Sequence, residues 1–254
     1  MRTIQKRPAP NALTAWRTPR LAANKPEGME CNYGEMRRDA KALAAVEESL
    51  WAEQGGLCAY TGHRIRLMSD GELRNADFHL EHLTPQTYCK SEFDSYGKDT
   101  DYSNLVACWP RPNVEFEPKY GARRKGNWPS PTEESQFVSP LRMDCLARFS
   151  FTRLGKISAA NPNDDAAKET IKKLGLDHGT LTELRREAIL GALNPASRQI
   201  TLSQARSLLA QMQQTSNSLS QGQRVQLRAF CFAIQPALER EIRKLEAIQN
   251  QKRS

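Results

Sequence analysis

Two of the four histidines in this 254-residue chain fall within one pentapeptide, His79-Leu80-Glu81-His82-Leu83. If the pentapeptide is a strand, alternation places His79 and Glu81 on one face and His82 on the other. A strand that ends at His82 can present this imidazole at the mouth of the following loop, with Glu81 as a metal ligand or its support. An imidazole that deprotonates water beside a bound divalent cation is suited to phosphodiester hydrolysis. The alternative interpretation is a pair of surface histidines on an edge strand.

A helix is predicted ahead of this pentapeptide, and short strands surround it. Leu43, Val46 and Leu50 share one helical face between positions 36 and 54, and two glycines at 55 and 56 end the pattern. Prolines are frequent from 84 to 135, which predicts loops there. The predicted strand segments are Leu57–Tyr60, Asp77–Leu80 and Ala147–Leu154, with a turn at Ser69-Asp70-Gly71.

The chain from Asp164 onward has a helical pattern. Asp164 or Asp165 can cap a helix that ends at Gly175. Thr180 and Glu183 match a capping box, which predicts a second helix through residue 189. Further helices are predicted over 202–212 and 224–248, separated by a polar, low-complexity segment over 211–223 that we interpret as a flexible loop.

The first 28 residues carry six basic side chains, one acidic side chain and four prolines. Proline at this density excludes a long helix, so an extended basic arm is predicted over residues 1–35. The arm either lies against the domain or clamps a nucleic acid or a partner.

Composition narrows the class of protein. The net charge is +8 and the pI is near 9.3, an excess that favours contact with phosphate. Mean hydropathy is −0.67, and no apolar run approaches the roughly 18 residues of a membrane span. No signal peptide precedes the six widely spaced cysteines, so we expect reduced thiols and a cytoplasmic location. No motif of an NTPase, a Rossmann enzyme or a serine hydrolase is present.

Several short motifs occur in the order known from one group of nucleases. A cysteine-bearing segment at 57–62 precedes Glu81-His82-x-x-Pro85, and a segment with Asn104 and Cys108 follows. The opening residues 1–13, the Arg-Arg-Lys-Gly-Asn run at 123–127 and the segments 170–176 and 181–189 extend the match. Together they resemble the PtuB-type HNH proteins of Septu antiphage systems, some of which accompany retrons, over about residues 1–190.

The resemblance implies an α+β fold in which a small ββα-metal (HNH) core, about residues 50–130, is embedded in a mainly helical body. His82 would be the general base, and Asn104 would hold its ring in the working tautomer through a side-chain hydrogen bond. Glu81 would be the acidic metal ligand or its support. Asn113 is the best-placed candidate for a further metal ligand. Lys125 would neutralise the scissile phosphate, and Arg123 and Arg124 beside it would contact nucleic acid.

The same resemblance implies a metal-dependent endonuclease that acts on DNA or RNA as the effector of an antiphage complex. Mg²⁺ or Mn²⁺ is the expected metal, and Zn²⁺ also suits the ligands. The implied partners are a PtuA-like ATPase and, in a retron setting, the reverse transcriptase and its RNA–DNA product. The expected organisation is the arm (1–35), a nuclease core with a leading helix (36–160) and a helical region (161–254).

The sequence departs from the family at the zinc staple, where relatives commonly carry two Cys-x-x-Cys pairs. Thr61 stands three residues after Cys58, and Arg111 three residues after Cys108. Because tetrahedral zinc needs four ligands, we expect no structural zinc and two buried thiols. A catalytically degenerate HNH module that binds nucleic acid or a partner without cleaving it is therefore the alternative.

The remaining aromatic and histidine residues have simpler interpretations. Trp109, Tyr120 and Trp128 lie among basic residues, a pattern that suits base stacking but is more typical of loop packing. His63 and His178 are predicted at the surface.

Overall fold

The computed structural model describes residues 1–70, 73–89, 96–112 and 117–251, which form helices and three two-stranded antiparallel sheets. This confirms a mixed α+β fold. The helices are α1 (Asn11–Leu21), α2 (Tyr33–Arg38), α3 (Ala40–Glu53), α4 (Ala122–Lys125), α5 (Asp165–Leu174), α6 (Gly179–Leu193), α7 (Leu202–Ser220) and α8 (Cys231–Gln251). The strands are β1 (Leu67–Asp70), β2 (Leu73–Ala76), β3 (His79–His82), β4 (Leu105–Cys108), β5 (Phe149–Phe151) and β6 (Ile157–Ala159).

The β3–β4 sheet carries the predicted site. His79 pairs with Cys108 and His82 with Leu105, so β3 ends where the loop to β4 begins. Every residue of β4 is buried, whereas β3 alternates between half-buried and buried positions. The alternation predicted from the sequence is confirmed, with His82 on the buried face.

Strand β4 is held against the end of α3 by one side chain. The amide of Gln54 accepts a hydrogen bond from the Ala107 N–H (2.7 Å) and donates to the Ala107 carbonyl (2.9 Å). Gln54 is itself 1% exposed. The prediction of a strand at Leu57–Tyr60 is wrong. This segment forms turns and one isolated β-bridge, between Leu57 and Arg64.

The helix predicted over 36–54 is two helices. Asp39 leaves the helical conformation, with ψ 99°, and its side chain caps α3 by accepting a hydrogen bond from the Ala42 N–H. Val46 and Leu50 are fully buried, as predicted. Gly55 and Gly56 have positive φ and end the helical run, because residues with a Cβ rarely adopt that conformation.

The C-terminal helices were predicted in part. Helix α5 has the predicted bounds, with Asp164 accepting from the Ala167 N–H and Gly175 in the left-handed conformation. Helix α6 is capped by His178 and not by Thr180, so the predicted capping box is wrong. The prediction of a flexible loop over 211–223 is wrong for residues 211–220. Helix α7 continues through them and buries the apolar side chains of Met212 and Leu219.

Two further boundaries differ from prediction. Helix α8 begins at Cys231, because residues 223–228 are not helical, the Leu227 N–H donates to the Gly55 carbonyl, and Phe230 has a positive φ of 55°. The N-terminal arm contains an 11-residue helix, α1, so the exclusion of a long helix was wrong. Pro10 immediately precedes α1, where the missing N–H of proline removes no helical hydrogen bond, and Pro19 lies in the last turn.

The N-terminal arm is part of the core. Met1, Ile4, Leu13 and Trp16 are all at least 95% buried. The Ile4 N–H donates to the Pro140 carbonyl at 2.7 Å, which fixes the extended segment on the domain. Of the two alternatives for the arm, the structure therefore shows the one packed against the domain. No helix in the described ranges combines the length and apolarity needed to cross a membrane.

Candidate active site at a strand end

The His82 side chain is fixed in one tautomer. It is 7% exposed, and its ring packs edge-on against Tyr33 with 4.6 Å between the ring centroids. Its Nε2 atom lies 2.8 Å from the Asp99 carbonyl oxygen. Because a carbonyl oxygen only accepts hydrogen bonds, Nε2 must carry the proton, and the lone pair of the neutral ring is then on Nδ1. This is the form that a general base requires.

Burial lowers the pKa of His82 below its ordinary value. The Asp99 carbonyl and the charge of Glu81 act in the opposite direction but do not outweigh burial. The ring is therefore neutral at pH 7 and able to accept a proton.

The Glu81 carboxylate is shared between two neighbours. Its Oε1 atom lies 2.9 Å from Lys125 Nζ and its Oε2 atom 3.6 Å from His79 Nε2. Burial raises the pKa of Glu81, but the Lys125 charge and hydrogen bonds from His79 and Lys125 outweigh burial, so the pKa falls below its usual value. The carboxylate is thus ionised at neutral pH.

The orientation of His79 is set by the carbonyl of Pro110, which lies 2.5 Å from His79 Nδ1. Nδ1 must therefore carry a proton. A doubly protonated His79 donates from Nε2 to Glu81 Oε2, whereas a neutral His79 directs the lone pair of Nε2 toward that oxygen. Two lone pairs facing each other at 3.6 Å repel unless a proton or a cation lies between them. An imidazole nitrogen and a carboxylate oxygen are suitable donors for a divalent metal.

Lys125 does not lie where it was predicted. Its side chain is 1% exposed, and its ammonium donates to the His82 carbonyl at 2.8 Å as well as to Glu81. It therefore fastens α4 to β3, and the prediction that it contacts the scissile phosphate is wrong. No sequence signal beyond the basic run itself indicates this contact.

Asn104 is buried, but it does not bind the His82 ring. Its Oδ1 accepts from the Thr84 N–H at 2.8 Å, and its Nδ2 donates to the carbonyls of Thr84 and Lys98, both at 3.2 Å. The prediction of a direct Asn104–His82 hydrogen bond is therefore wrong. Asn104 holds the loop that follows β3, and the Asp99 carbonyl orients the imidazole.

The predicted further ligand, Asn113, lies outside the described residues. Helix α4 presents Ala122 and Lys125, one turn apart, and neither side chain can bind a metal cation. Across the described parts of the chain, no three His, Cys, Asp or Glu residues gather as a metal cluster. The donors that fit are His79 Nε2 and Glu81 Oε2. Two protein donors suffice for a cation such as Mg²⁺, which keeps several waters and binds substrate phosphate.

The other predicted nucleic-acid contacts differ in exposure. Arg124 is exposed and its Nε donates to the Lys172 carbonyl, whereas Arg123 is half-buried with its Nη1 3.5 Å from Glu117. Tyr120 and Trp128 are buried, which confirms loop packing for these two rings. Arg124 is thus the most exposed of the three consecutive basic residues.

The two cysteines at the positions compared with a zinc staple are closely packed. Cys58 and Cys108 are at most 1% exposed, as predicted, on segments joined by the hydrogen bond from Ala59 N–H to the Ala107 carbonyl. His63, predicted at the surface, is half-buried. Its ring packs against Trp109 (4.6 Å between centroids) and other aromatic rings, and burial lowers its pKa to about 4.

Comparison with known proteins assigns no family: no family model matches the chain, and no curated protein is significantly similar to it. Function is therefore inferred from His82, Glu81 and the groups that hold them.

Proposed function

We propose that the protein is a metal-dependent HNH-type endonuclease that hydrolyses phosphodiester bonds in DNA or RNA. One observation carries the proposal: the Asp99 carbonyl fixes the His82 proton on Nε2, so that a neutral ring keeps its lone pair on Nδ1. Burial also lowers the pKa of this ring. A side chain in this state can remove a proton from water at neutral pH.

His79 Nε2 and Glu81 Oε2, on the face of β3 opposite to His82, would hold the divalent cation at the end of the strand, with Mg²⁺ or Mn²⁺ preferred. When bound, such a cation neutralises the negative charge that develops on the phosphate. Lys125 keeps Glu81 ionised and directs its second oxygen toward His79. Tyr33 and the Asp99 carbonyl keep the His82 ring from rotating.

The biological setting that we propose rests on the sequence resemblance and the basic charge. The chain would act as the effector of an antiphage complex with a PtuA-like ATPase and, where a retron is present, its reverse transcriptase and RNA–DNA product. The net charge of +8 favours a polyanionic substrate.

Cleavage of labelled plasmid DNA and of total RNA tests the proposal. The wild-type chain is assayed with Mg²⁺, Mn²⁺ or EDTA, alone and with the neighbouring ATPase, beside H82A. His178→Ala is the matched control, because His178 caps α6 away from the site. Metal-dependent cleavage that H82A loses and H178A retains is expected. Equal cleavage by H82A would contradict the assigned base.

One observation favours a second function, a degenerate HNH module that binds without cleaving. The Lys125 ammonium already lies beside Glu81, and its positive charge opposes a second cation there. This candidate predicts that wild type and H82A bind a labelled oligonucleotide equally and that neither cleaves it, with or without the ATPase.

A further inference from the structure

A cavity of about 660 Å³ lies away from the β3 site, between the N-terminal segment, the C-terminal half of α7 and the start of α8. Much of its wall is uncharged and polar, with amides from Gln5, Asn217 and Gln235 and hydroxyls from Ser216 and Ser220. Such groups bind ligands by hydrogen bonds. The volume is typical of a site for a small molecule.

Arg2 is the unusual residue of this wall. Its Nη1 atom is buried and has no hydrogen-bond partner among the described residues. Burial lowers the pKa of Arg2, and Cys231 opposes the shift only in part. Arg2 as a whole is half-buried and lines the cavity, so the rest of its guanidinium can meet a ligand there. A largely buried cation without a partner in the protein is costly, and such groups are normally paired with an anion.

The other charged groups of the cavity leave an excess of positive charge. Glu53 is the one carboxylate in its described lining, and it is occupied: Lys6 Nζ lies 2.8 Å from one oxygen, and the Arg7 N–H donates to the other at 3.1 Å. The Arg7 guanidinium donates to the Leu219 carbonyl. Helix α8 begins at Cys231 in the same wall, and a helix N-terminus also favours negative charge.

We propose that this cavity binds a phosphate-bearing ligand of mononucleotide size, with the phosphate paired to Arg2. A phosphate matches the net positive charge, because it carries up to two negative charges and oxygens that accept from arginine in a bidentate manner. The amide and hydroxyl groups of the wall would bind the polar remainder of the ligand. The source is either a free nucleotide or the terminal phosphate of a nucleic acid. This inference does not depend on nuclease activity.

Thermal unfolding and titration calorimetry of the full chain test the proposal. The probes are AMP, inorganic phosphate, adenosine, acetate, and a short oligonucleotide with and without a 5′-phosphate. We expect AMP and phosphate to raise Tm, and adenosine and acetate to leave it unchanged. A stronger effect of AMP indicates a free nucleotide, and a stronger effect of the 5′-phosphorylated strand indicates a nucleic-acid end.

Two variants of the cavity sharpen the test. Arg2→Met should raise Tm without ligand, because it removes a buried nitrogen that has no partner, and should weaken AMP binding at least tenfold. Ser216→Asp places a carboxylate in the wall and should abolish the AMP effect in a chain whose Arg2 is intact. Arg206→Met, at an exposed ion pair on the same helix, is the matched control and should bind AMP normally.

The His82→Ala variant must retain the AMP effect, which separates this cavity from the nuclease site. The proposal is overturned if AMP and phosphate do not shift the wild-type Tm at millimolar concentration. It is also overturned if R2M and S216D respond to AMP as the wild type does, or if adenosine and acetate act as strongly as AMP.

Discussion

At the scale of single residues, His82 is prepared for proton transfer by a backbone atom. The sequence pattern identified the imidazole and its strand, but it assigned the orienting role to Asn104. The Asp99 carbonyl has that role instead, because the turn at Lys98–Thr100 brings it within 2.8 Å of Nε2. Every residue type carries a carbonyl, so residue type could not reveal this partner. His79 was placed correctly on the Glu81 face by strand alternation alone.

His63 should make stability depend on pH. Its pKa is lowered from 6.5 to about 4 by burial, so the unfolded chain binds a proton more readily between those pH values. Stability due to this group is complete above pH 6.5 and is lost as the pH falls toward 4, by about 3 kcal/mol. Urea unfolding of wild type and His63→Phe at pH 7.5 and 4.5 measures the difference.

Other groups also titrate over this pH range, but they do so in both proteins. The difference between wild type and variant therefore isolates the contribution of His63. His63→Phe keeps an aromatic ring in the cluster with Trp109 and Phe230. We expect it to lose less stability than the wild type on acidification. An identical loss in the two proteins would show that His63 is not held neutral.

At the scale of elements, Lys125 joins helix α4 to strand β3. Its ammonium binds both the Glu81 side chain and the His82 carbonyl, in a position 1% exposed. The sequence analysis assigned Lys125 to the scissile phosphate and Arg123 and Arg124 to nucleic acid, so it did not identify Lys125 as the buried member of the run. Which of three consecutive basic residues is buried depends on how the one-turn helix is rotated against the sheet.

Lys125→Met should be strongly destabilising, because it leaves the Glu81 carboxylate buried without its cation. We expect a loss of about 3–5 kcal/mol in the free energy of unfolding. Arg124→Met, on the same helix but exposed, should change it by less than about 0.5 kcal/mol. Chemical denaturation measures both. Equal, small effects would mean that the ion pair does not fasten α4 to β3.

The cap of α5 was predicted correctly because its signal is local. An Asp before the helix and a Gly after it specify both ends without tertiary contacts. The end of α7 was missed because its polar sequence resembles a loop, and only the packing of Met212 and Leu219 against neighbouring elements keeps it helical. Long-range packing is not visible in a local pattern.

Replacement of the α5 cap tests this local signal. Asp164→Ala should cost about 1–2 kcal/mol, since it removes the bond to the Ala167 N–H and the ion pair with Arg148. Asp165→Ala is the neighbouring control, because that side chain is 91% exposed and should matter little. Thermal unfolding of the two variants gives the comparison. Equal losses of stability in the two variants would show that Asp164 does not cap α5.

At the scale of the whole molecule, the N-terminal segment and the C-terminal helices complete the domain that holds the site. Lys6 pairs with Glu53 at the end of α3, and Arg7 reaches Leu219 on α7. Composition predicted a basic, proline-rich arm. Because charged residues dominate this segment, the sequence analysis did not identify Met1 and Ile4 as the apolar residues that pack it against the domain. These residues contact parts of the chain more than a hundred positions away, so no local periodic pattern predicts their burial.

Ile4→Ala should therefore destabilise the whole domain. Ile4 is 2% exposed, and truncation of a buried isoleucine typically costs about 2–5 kcal/mol. Gln5→Ala, at an exposed neighbouring position, should stay within about 0.5 kcal/mol of the wild type. Urea unfolding followed by circular dichroism measures both. A neutral Ile4→Ala would show that the arm is not part of the cooperative unit.

The pH dependence of single-turnover cleavage is the decisive test of His82 as the general base. With Mg²⁺ or Mn²⁺, the wild-type rate should stay constant from pH 8 to below 6.5 and then fall, because the pKa of the His82 base is lowered. His82→Ala, folded by circular dichroism, should lose about 10²–10⁴-fold in rate. Cleavage by H82A at the wild-type rate, or no metal-dependent cleavage by the wild type even with the ATPase, would contradict the account.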